Sequence, residues 1–169
     1  MEKNTQERLN KYLADCGLCS RREADRMIEA GRVTVNGAQA QTGMKIGPED
    51  FIAVDGRALE KKEQKVVLAY YKPVGVTCTE KDRHAQRTIR DAIDYPVRVT
   101  YAGRLDKDSE GLLLLTNDGA FANAMMHPSF HVPKTYRITI RPDITEEQAL
   151  ELASGVVIDG VKTLPAQVT

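Results

Sequence analysis

Two ionisable side chains sit two residues apart in the segment 102–119, AGRLDKDSEGLLLLTNDG: a guanidinium at Arg104 and a carboxylate at Asp106. In extended backbone, residues i and i+2 share a face, so these two groups project together while Leu105 turns toward a core. A cation beside a carboxylate favours the ionised form. An ionised, oriented aspartate is what nucleophilic or electrostatic catalysis needs. An ordinary ion pair at the end of a strand gives the same spacing, so the tripeptide alone leaves both readings open.

Two further segments put cations and an aromatic near strand ends. Lys72 stands in YKPVGV (71–76), where Pro73 and Gly75 close an apolar run, and Lys134 and Tyr136 stand in KTYRI (134–138). At the amino-terminal end, Arg8 and Lys11 are spaced three apart, Arg21 and Arg22 follow Ser20, and Arg32 and Asn36 flank a valine-rich strand. Three apart on a helix is one face, and cations in a helix's first turn lie near N–H groups that attract anions.

The elements that must position these residues follow from period and punctuation. Leu9, Tyr12, Leu13 and Cys16 recur at helical spacing with Gly17 to end the helix, and Ser20 and Glu23 form a capping-box pattern opening a second helix that Gly31 stops. The period then becomes strand-like, with Val33 and Val35 before Asn36-Gly37, and Phe51 to Val54 before Asp55-Gly56, both hairpin signals. Residues 60–65, EKKEQK, offer no core face and predict a linker between a domain at 1–59 and a second at 66–169. In the second domain the pattern predicts a strand over Val66 to Lys72, a polar loop at 79–87, and a short helix from Thr88. Strands near Val97 to Tyr101 and over Leu112 to Thr116 follow, with a helix over Ala120 to Met126. A strand over Lys134 to Ile140 and a helix capped by Thr145 complete it. The class is α+β, with a mixed, largely antiparallel sheet, because several strand connections are too short for βαβ crossovers.

The 104–119 block resembles, nearly position for position, the signature of bacterial pseudouridine synthases of the RsuA, RluB and RluF group, whose G-R-L-D-x-x-(S/T)-x-G-L-L segment holds the catalytic aspartate. The Lys72-Pro73-Val74-Gly75 and Lys134-Thr135-Tyr136 segments resemble the family's K-P-x-G and K-x-Y motifs, in the same order. Residues 8–13, 20–24 and 31–37 resemble the S-four-type, or alpha-L, RNA-binding domain. The resemblance implies isomerisation of uridine to pseudouridine in ribosomal RNA without a cofactor, with Asp106 as nucleophile and Arg104, Tyr136, Lys134 and Lys72 in support. It implies RNA contacts from Arg8, Lys11, Ser20, Arg21, Arg22, Arg32 and Asn36. It points most closely to the RluF-like, large-subunit branch, with tRNA left open as a substrate. Relatives continue into a basic segment of the type E-G-x-N-R-Q, so the second domain is expected to be incomplete here, with its open sheet edge a route to oligomers.

Other classes gain little support. Lys plus Arg equals Asp plus Glu at 24 each, so any nucleic-acid affinity must come from local clustering. Cys16, Cys19 and Cys78 are an odd count without an export signal and predict free thiols in a cytoplasmic protein. Cys16-Gly17-Leu18-Cys19 and the pair His127 and His131 lack the partners of a zinc site, and no glycine-rich phosphate loop is present, so neither metal nor nucleotide cofactor is expected. No apolar run is long enough for a membrane span. A noncatalytic RNA-binding or ribosome-assembly factor with the same fold is the rival reading, and the intact Arg104-Leu105-Asp106 opposes it.

Overall fold

The computed structural model describes residues 6–59, 64–79 and 87–169. Most of the expected linker, 60–63, and most of the expected polar loop, 80–86, lie outside the described residues. The chain forms two compact units, Met1–Val132 and Pro133–Thr169.

The first unit begins with β1 (Glu7–Arg8), α1 (Leu9–Asp15) and α2 (Arg21–Glu29). Gly17 takes φ +77°, ending α1 as its position predicts. The Ser20 side chain accepts the Glu23 N–H, but Glu23 pairs its own carboxylate with Arg26 (3.1 Å), so the capping device is formed from the serine side. Strands β2 (Val33–Val35), β3 (Ala38–Gln39), β4 (Lys45–Ile46), β5 (Ile52–Val54) and β6 (Arg57–Ala58) follow. Four of them form an antiparallel sheet in the order β3-β2-β5-β6, and β1 pairs with β4. Both predicted hairpins close on left-handed pairs, Asn36-Gly37 (φ 52° and 80°) and Asp55-Gly56 (φ 50° and 75°), which match the strand twist. Leu9, Leu13, Ala24, Met27, Ile28, Val33, Ile46 and Ile52 are buried together as one core.

A second core lies on the sheet of β7 (Val67–Lys72), β8 (Thr100–Ala102) and β9 (Gly111–Thr116), ordered β7-β9-β8 and antiparallel throughout. Along β9 the side chains alternate: Leu113 and Leu115 are buried with Val76, Cys78 and Ile89, while Leu112 faces out. The register sets Lys72 opposite Gly111 and Val67 opposite Thr116. At that last pair the Thr116-Asn117-Asp118 segment clasps the start of β7. Thr116 Oγ1 donates to the Val66 carbonyl (2.6 Å), and the Asn117 amide accepts from Val66 N–H (2.8 Å) and donates to the Gln64 carbonyl (2.9 Å). Asp118 caps α3 (Gly119–Met126) through the Ala120 and Phe121 N–H groups and pairs with Lys65 (2.7 Å). The helix ends before His127-Pro128, His127 being extended (ψ 130°) as a residue preceding proline should be.

The second unit holds α4 (Glu146–Ser154), with a complete capping box from Thr145 and Gln148, and a hairpin of β10 (Val157–Ile158) and β11 (Val161–Lys162) across Asp159-Gly160. That hairpin escaped the sequence reading, although Asp-Gly is the usual signal for one.

Three expectations fail. The helix from Thr88 is a single turn, in which Thr88 accepts the Asp91 and Ala92 N–H groups, because Tyr95-Pro96 follows before a second turn can form. The strand expected from Val97 starts at Thr100, where β9 first offers pairing. Lys134–Ile140 forms no strand: it joins no sheet among the described residues, and Tyr136, Ile138 and Ile140 are exposed. Alternating apolar residues encode a pleated face, yet a strand exists only with a partner's hydrogen bonds.

The clasp yields a pH prediction. The Lys65 ion pair, helped by the Ala120 and Phe121 N–H groups and opposed by burial, holds the Asp118 carboxyl below its usual pKa. A lowered folded-state pKa contributes stability above the unfolded carboxylate value of about 3.9, lost as pH falls through the folded value. Asp118→Asn keeps an N-cap but removes the charge. The variant is therefore expected to be less stable than the parent in urea at pH 7, with the gap closing as pH drops below about 4. A gap unchanged down to pH 2 is the contrary result.

Candidate active site

The loop that follows β8 carries Arg104, Leu105 and Asp106 and returns to β9 at Gly111. Leu105 packs against the second core, as expected, and its N–H points at the Cys78 sulfur (3.4 Å). Arg104 and Asp106 are both exposed, and no ion pair joins them among the described residues. The expectation of a guanidinium steadying the carboxylate is therefore not met. The backbone at 103–106 has left the strand, so the two-residue alternation that would align the pair does not apply.

What holds Asp106 is the backbone around it. The Asp106 carbonyl accepts the Ser109 N–H (3.1 Å), closing a four-residue turn with Lys107 and Asp108 at its corners. Lys72, 0% exposed at the end of β7, directs its ammonium into that turn. Its Nζ donates to the carbonyls of Ser109 (2.7 Å), Pro73 (2.9 Å) and, at longer range, Lys107 (3.4 Å). Gly75 N–H donates to the same Lys107 carbonyl (2.8 Å), from a φ of +89° that suits glycine. The K-P-x-G and R-L-D segments, separate in sequence, thus form one structural device. Its ammonium makes no outward contact available to a substrate, so Lys72 positions the loop.

The amino-terminal cations divide. Arg21 and Arg22 are exposed in the first turn of α2, beside the Ser20 cap. Arg8 precedes α1, being in β1 and at the helix's N-cap, so it does not share a helical face with Lys11. Lys11 is engaged by Asp15 (2.6 Å) and Glu7 (3.0 Å), and Asp15 above all keeps its ammonium's pKa above the usual value. Arg32 forms a forked pair with Asp55. Asn36 ties Asp50 and the Phe51 N–H together. These last three side chains brace the module's own loops. Lys134 and Tyr136 belong to the second unit, where Tyr136 is 63% exposed.

Sequence reasoning named Gly75 and Cys78 but gave neither a place in the site, and it missed the Thr116-Asn117-Asp118 clasp. The available signals were a glycine following Lys-Pro and polar residues ending an apolar run. The three cysteines are free thiols. Among the described residues, no helix is long and apolar enough to cross a membrane.

This chain belongs to the RNA pseudouridylate synthase family, whose model matches residues 66–163; the S4 domain model matches residues 7–52. Dual-specificity RNA pseudouridine synthase RluF of Escherichia coli strain K12 is 40% identical over 163 residues, covering 95% of this chain and 56% of that protein. Ribosomal large subunit pseudouridine synthase B of Bacillus subtilis strain 168 is 39% identical, covering 95% of this chain and 66% of that protein. A crystal structure of a pseudouridylate synthase superposes with a TM-score of 0.60 at 32% identity, covering 95% of this chain and 70% of that one. The chain spans little more than half the length of the RluF relative.

Removing the Lys72 ammonium takes this donor from the Ser109 and Pro73 carbonyls, while the Lys107 carbonyl keeps the Gly75 N–H, each unmade bond costing about 1–3 kcal/mol when buried. Lys72→Met, which keeps the aliphatic stem's volume, is expected to speed hydrogen exchange of the Gly75 and Ser109 amides at least tenfold while leaving the α1 and α2 amides unchanged. Equal protection in parent and variant would remove Lys72 from its place in the loop.

Proposed function

We propose that this protein isomerises uridine to pseudouridine in ribosomal RNA, with Asp106 as the nucleophile. The observation that carries this reading is an exposed carboxylate on a turn fixed by a buried ammonium, within the segment matched by the family model. Chemically, the step breaks the bond between ribose carbon 1′ and uracil nitrogen 1 and forms one from carbon 1′ to carbon 5. The proton on carbon 5 leaves to solvent and nitrogen 1 gains one. Atoms and electrons balance without a redox partner, so no cofactor is required. A single nucleophile that holds one fragment covalently while the base turns is sufficient, whether it engages ribose or pyrimidine.

The other assignments belong to the same reading. Tyr136 stacks on the extruded base, offsetting the few kcal/mol of unstacking, with Lys134 beside it. Arg104 lies two residues from the reacting carboxylate and contacts the RNA backbone near it. Arg21 and Arg22 with the Ser20-capped end of α2 grip phosphate. The RNA is ribosomal, of the large subunit, with tRNA as the alternative substrate, and the protein works in the cytoplasm. The boundary between an RNA-binding domain and the catalytic domain falls within 60–65.

The test is release of tritium from rRNA transcripts labelled at uridine carbon 5, using this chain and any longer natural protein that carries it. Label is expected to appear in water with the parent. Asp106→Asn is expected to lower the rate by about a thousandfold or more, the scale of losing a nucleophile. Release by the variant at the parental rate would strip Asp106 of its role.

For the amino-terminal module, Arg21→Ala with Arg22→Ala is expected to weaken binding to the same transcripts. The slope of log affinity against log salt should flatten by about 0.7–0.9 for each phosphate that is no longer neutralised. An unchanged slope would assign these arginines to the solvated surface.

A further inference from the structure

Within the first unit, a cleft of about 410 Å³ opens between the turn after α1 and the segment leading into β8. Its volume falls in the range of small-ligand sites, about 300–1,000 Å³. Leu18, 43% exposed, lines it from the turn after α1; Arg90, Ile93, Tyr95 (38% exposed), Arg98 and Tyr101 line it from the segment leading into β8. None of these residues has a place in the catalytic or RNA-gripping roles assigned above.

Three observations say what chemistry the cleft takes. Its lining combines apolar walls, an accessible phenol ring and two guanidiniums, the set that receives a flat base with its phosphate. The acid next to Arg90, Asp91, accepts from the Thr88 N–H (3.0 Å) and hydroxyl (2.7 Å) and also feels the Arg90 charge, but it is not among the residues that line the cleft. Finally, the cleft lies on the covalent path between the two functional ends. Arg98 lines the cleft together with Gly17 and Leu18, the turn that runs through Ser20 into α2. Thr100 and Tyr101, which also line it, belong to β8, the strand that delivers Arg104 and Asp106.

We propose that this cleft is a second RNA subsite, which seats one unpaired nucleotide between the α2 end and the Asp106 loop. The base lies against Tyr95, with Leu18 and Ile93 covering its faces, and its phosphate meets Arg90 and Arg98. A strand gripped at α2 is thereby held at a fixed distance from the reacting loop, so that the cleft helps select which nucleotide reaches Asp106. The occupant is RNA because charge complementarity and an accessible aromatic coincide. It rests on the proposal that the protein acts on RNA, and its test does not depend on catalysis.

The probe is a twelve-nucleotide oligouridylate carrying 4-thiouridine, cross-linked to the full chain by light and mapped by mass spectrometry. Cross-links are expected on peptides spanning 87–101. Arg90→Ala with Tyr95→Ala should weaken oligonucleotide binding about tenfold and flatten its salt slope by about 0.7, the value for one single-strand phosphate. Leu18→Glu, on the opposite wall, should weaken binding without touching that segment and covers the case in which the double variant fails to fold. Tritium release by the parent with no cleft cross-link would sink the subsite alone. Cross-links confined to α2 and the Asp106 loop, or unaltered affinity in both cleft variants, would overturn the proposal. So would displacement by uridine 5′-monophosphate or polyglutamate as effective as by unlabelled oligouridylate, since the cleft would then be a small-molecule or general polyanion site.

Discussion

A buried ammonium is costly to desolvate, by several kcal/mol even after relaxation, and a chain retains one only where several oxygens converge on it. Lys72 meets that condition with main-chain carbonyls alone among its bonded partners. The consequence is a constraint that runs both ways. The turn at 106–109 must close so that its carbonyls face inward, and β7 must be in register with β9 so that Lys72 arrives opposite Gly111. Asp106 opens that turn, and its side chain is exposed. The clasp at 116–118 secures the same register from the far end of β7, so both ends of one strand pairing are tied by polar groups.

Two cores divide the work of the first unit. The helical and small-sheet core fixes the hairpins and the Ser20-capped start of α2, and the second supports the sheet and the Leu105 anchor. Much of the charge in the amino-terminal module is spent internally, with Lys11, Arg26 and Arg32 each paired with acidic neighbours. A composition of equal positive and negative charge is consistent with such pairing, which leaves recognition to a few exposed cations in particular places.

The sequence was legible where a local rule decides the outcome. Asn-Gly and Asp-Gly turns, the Ser20 and Thr145 caps, the stop at Gly17 and the alternation of Leu112 to Leu115 each depend on a residue's own conformational preference or period. It was misleading where a distant partner decides. Lys134–Ile140 alternates like a strand but joins no sheet among the described residues, and Arg104 shares a face with Asp106 only if the backbone between them stays extended. The role of Lys72 could not be read from its neighbours, because the oxygens it binds include those at 107 and 109, brought close by strand register. Nor could the cleft be foreseen, since its walls come from segments some seventy residues apart.

Because Lys72 and Gly75 grip only main-chain oxygens at positions 107 and 109, the turn beside Asp106 is fixed without reference to its side chains. Lys107 and Asp108 are exposed and can be exchanged without loosening that grip. The rim of the Asp106 loop is therefore open to mutational drift in charge and size while its backbone stays in place, which gives a lineage of such proteins a way to retune the loop's surroundings without rebuilding the fold.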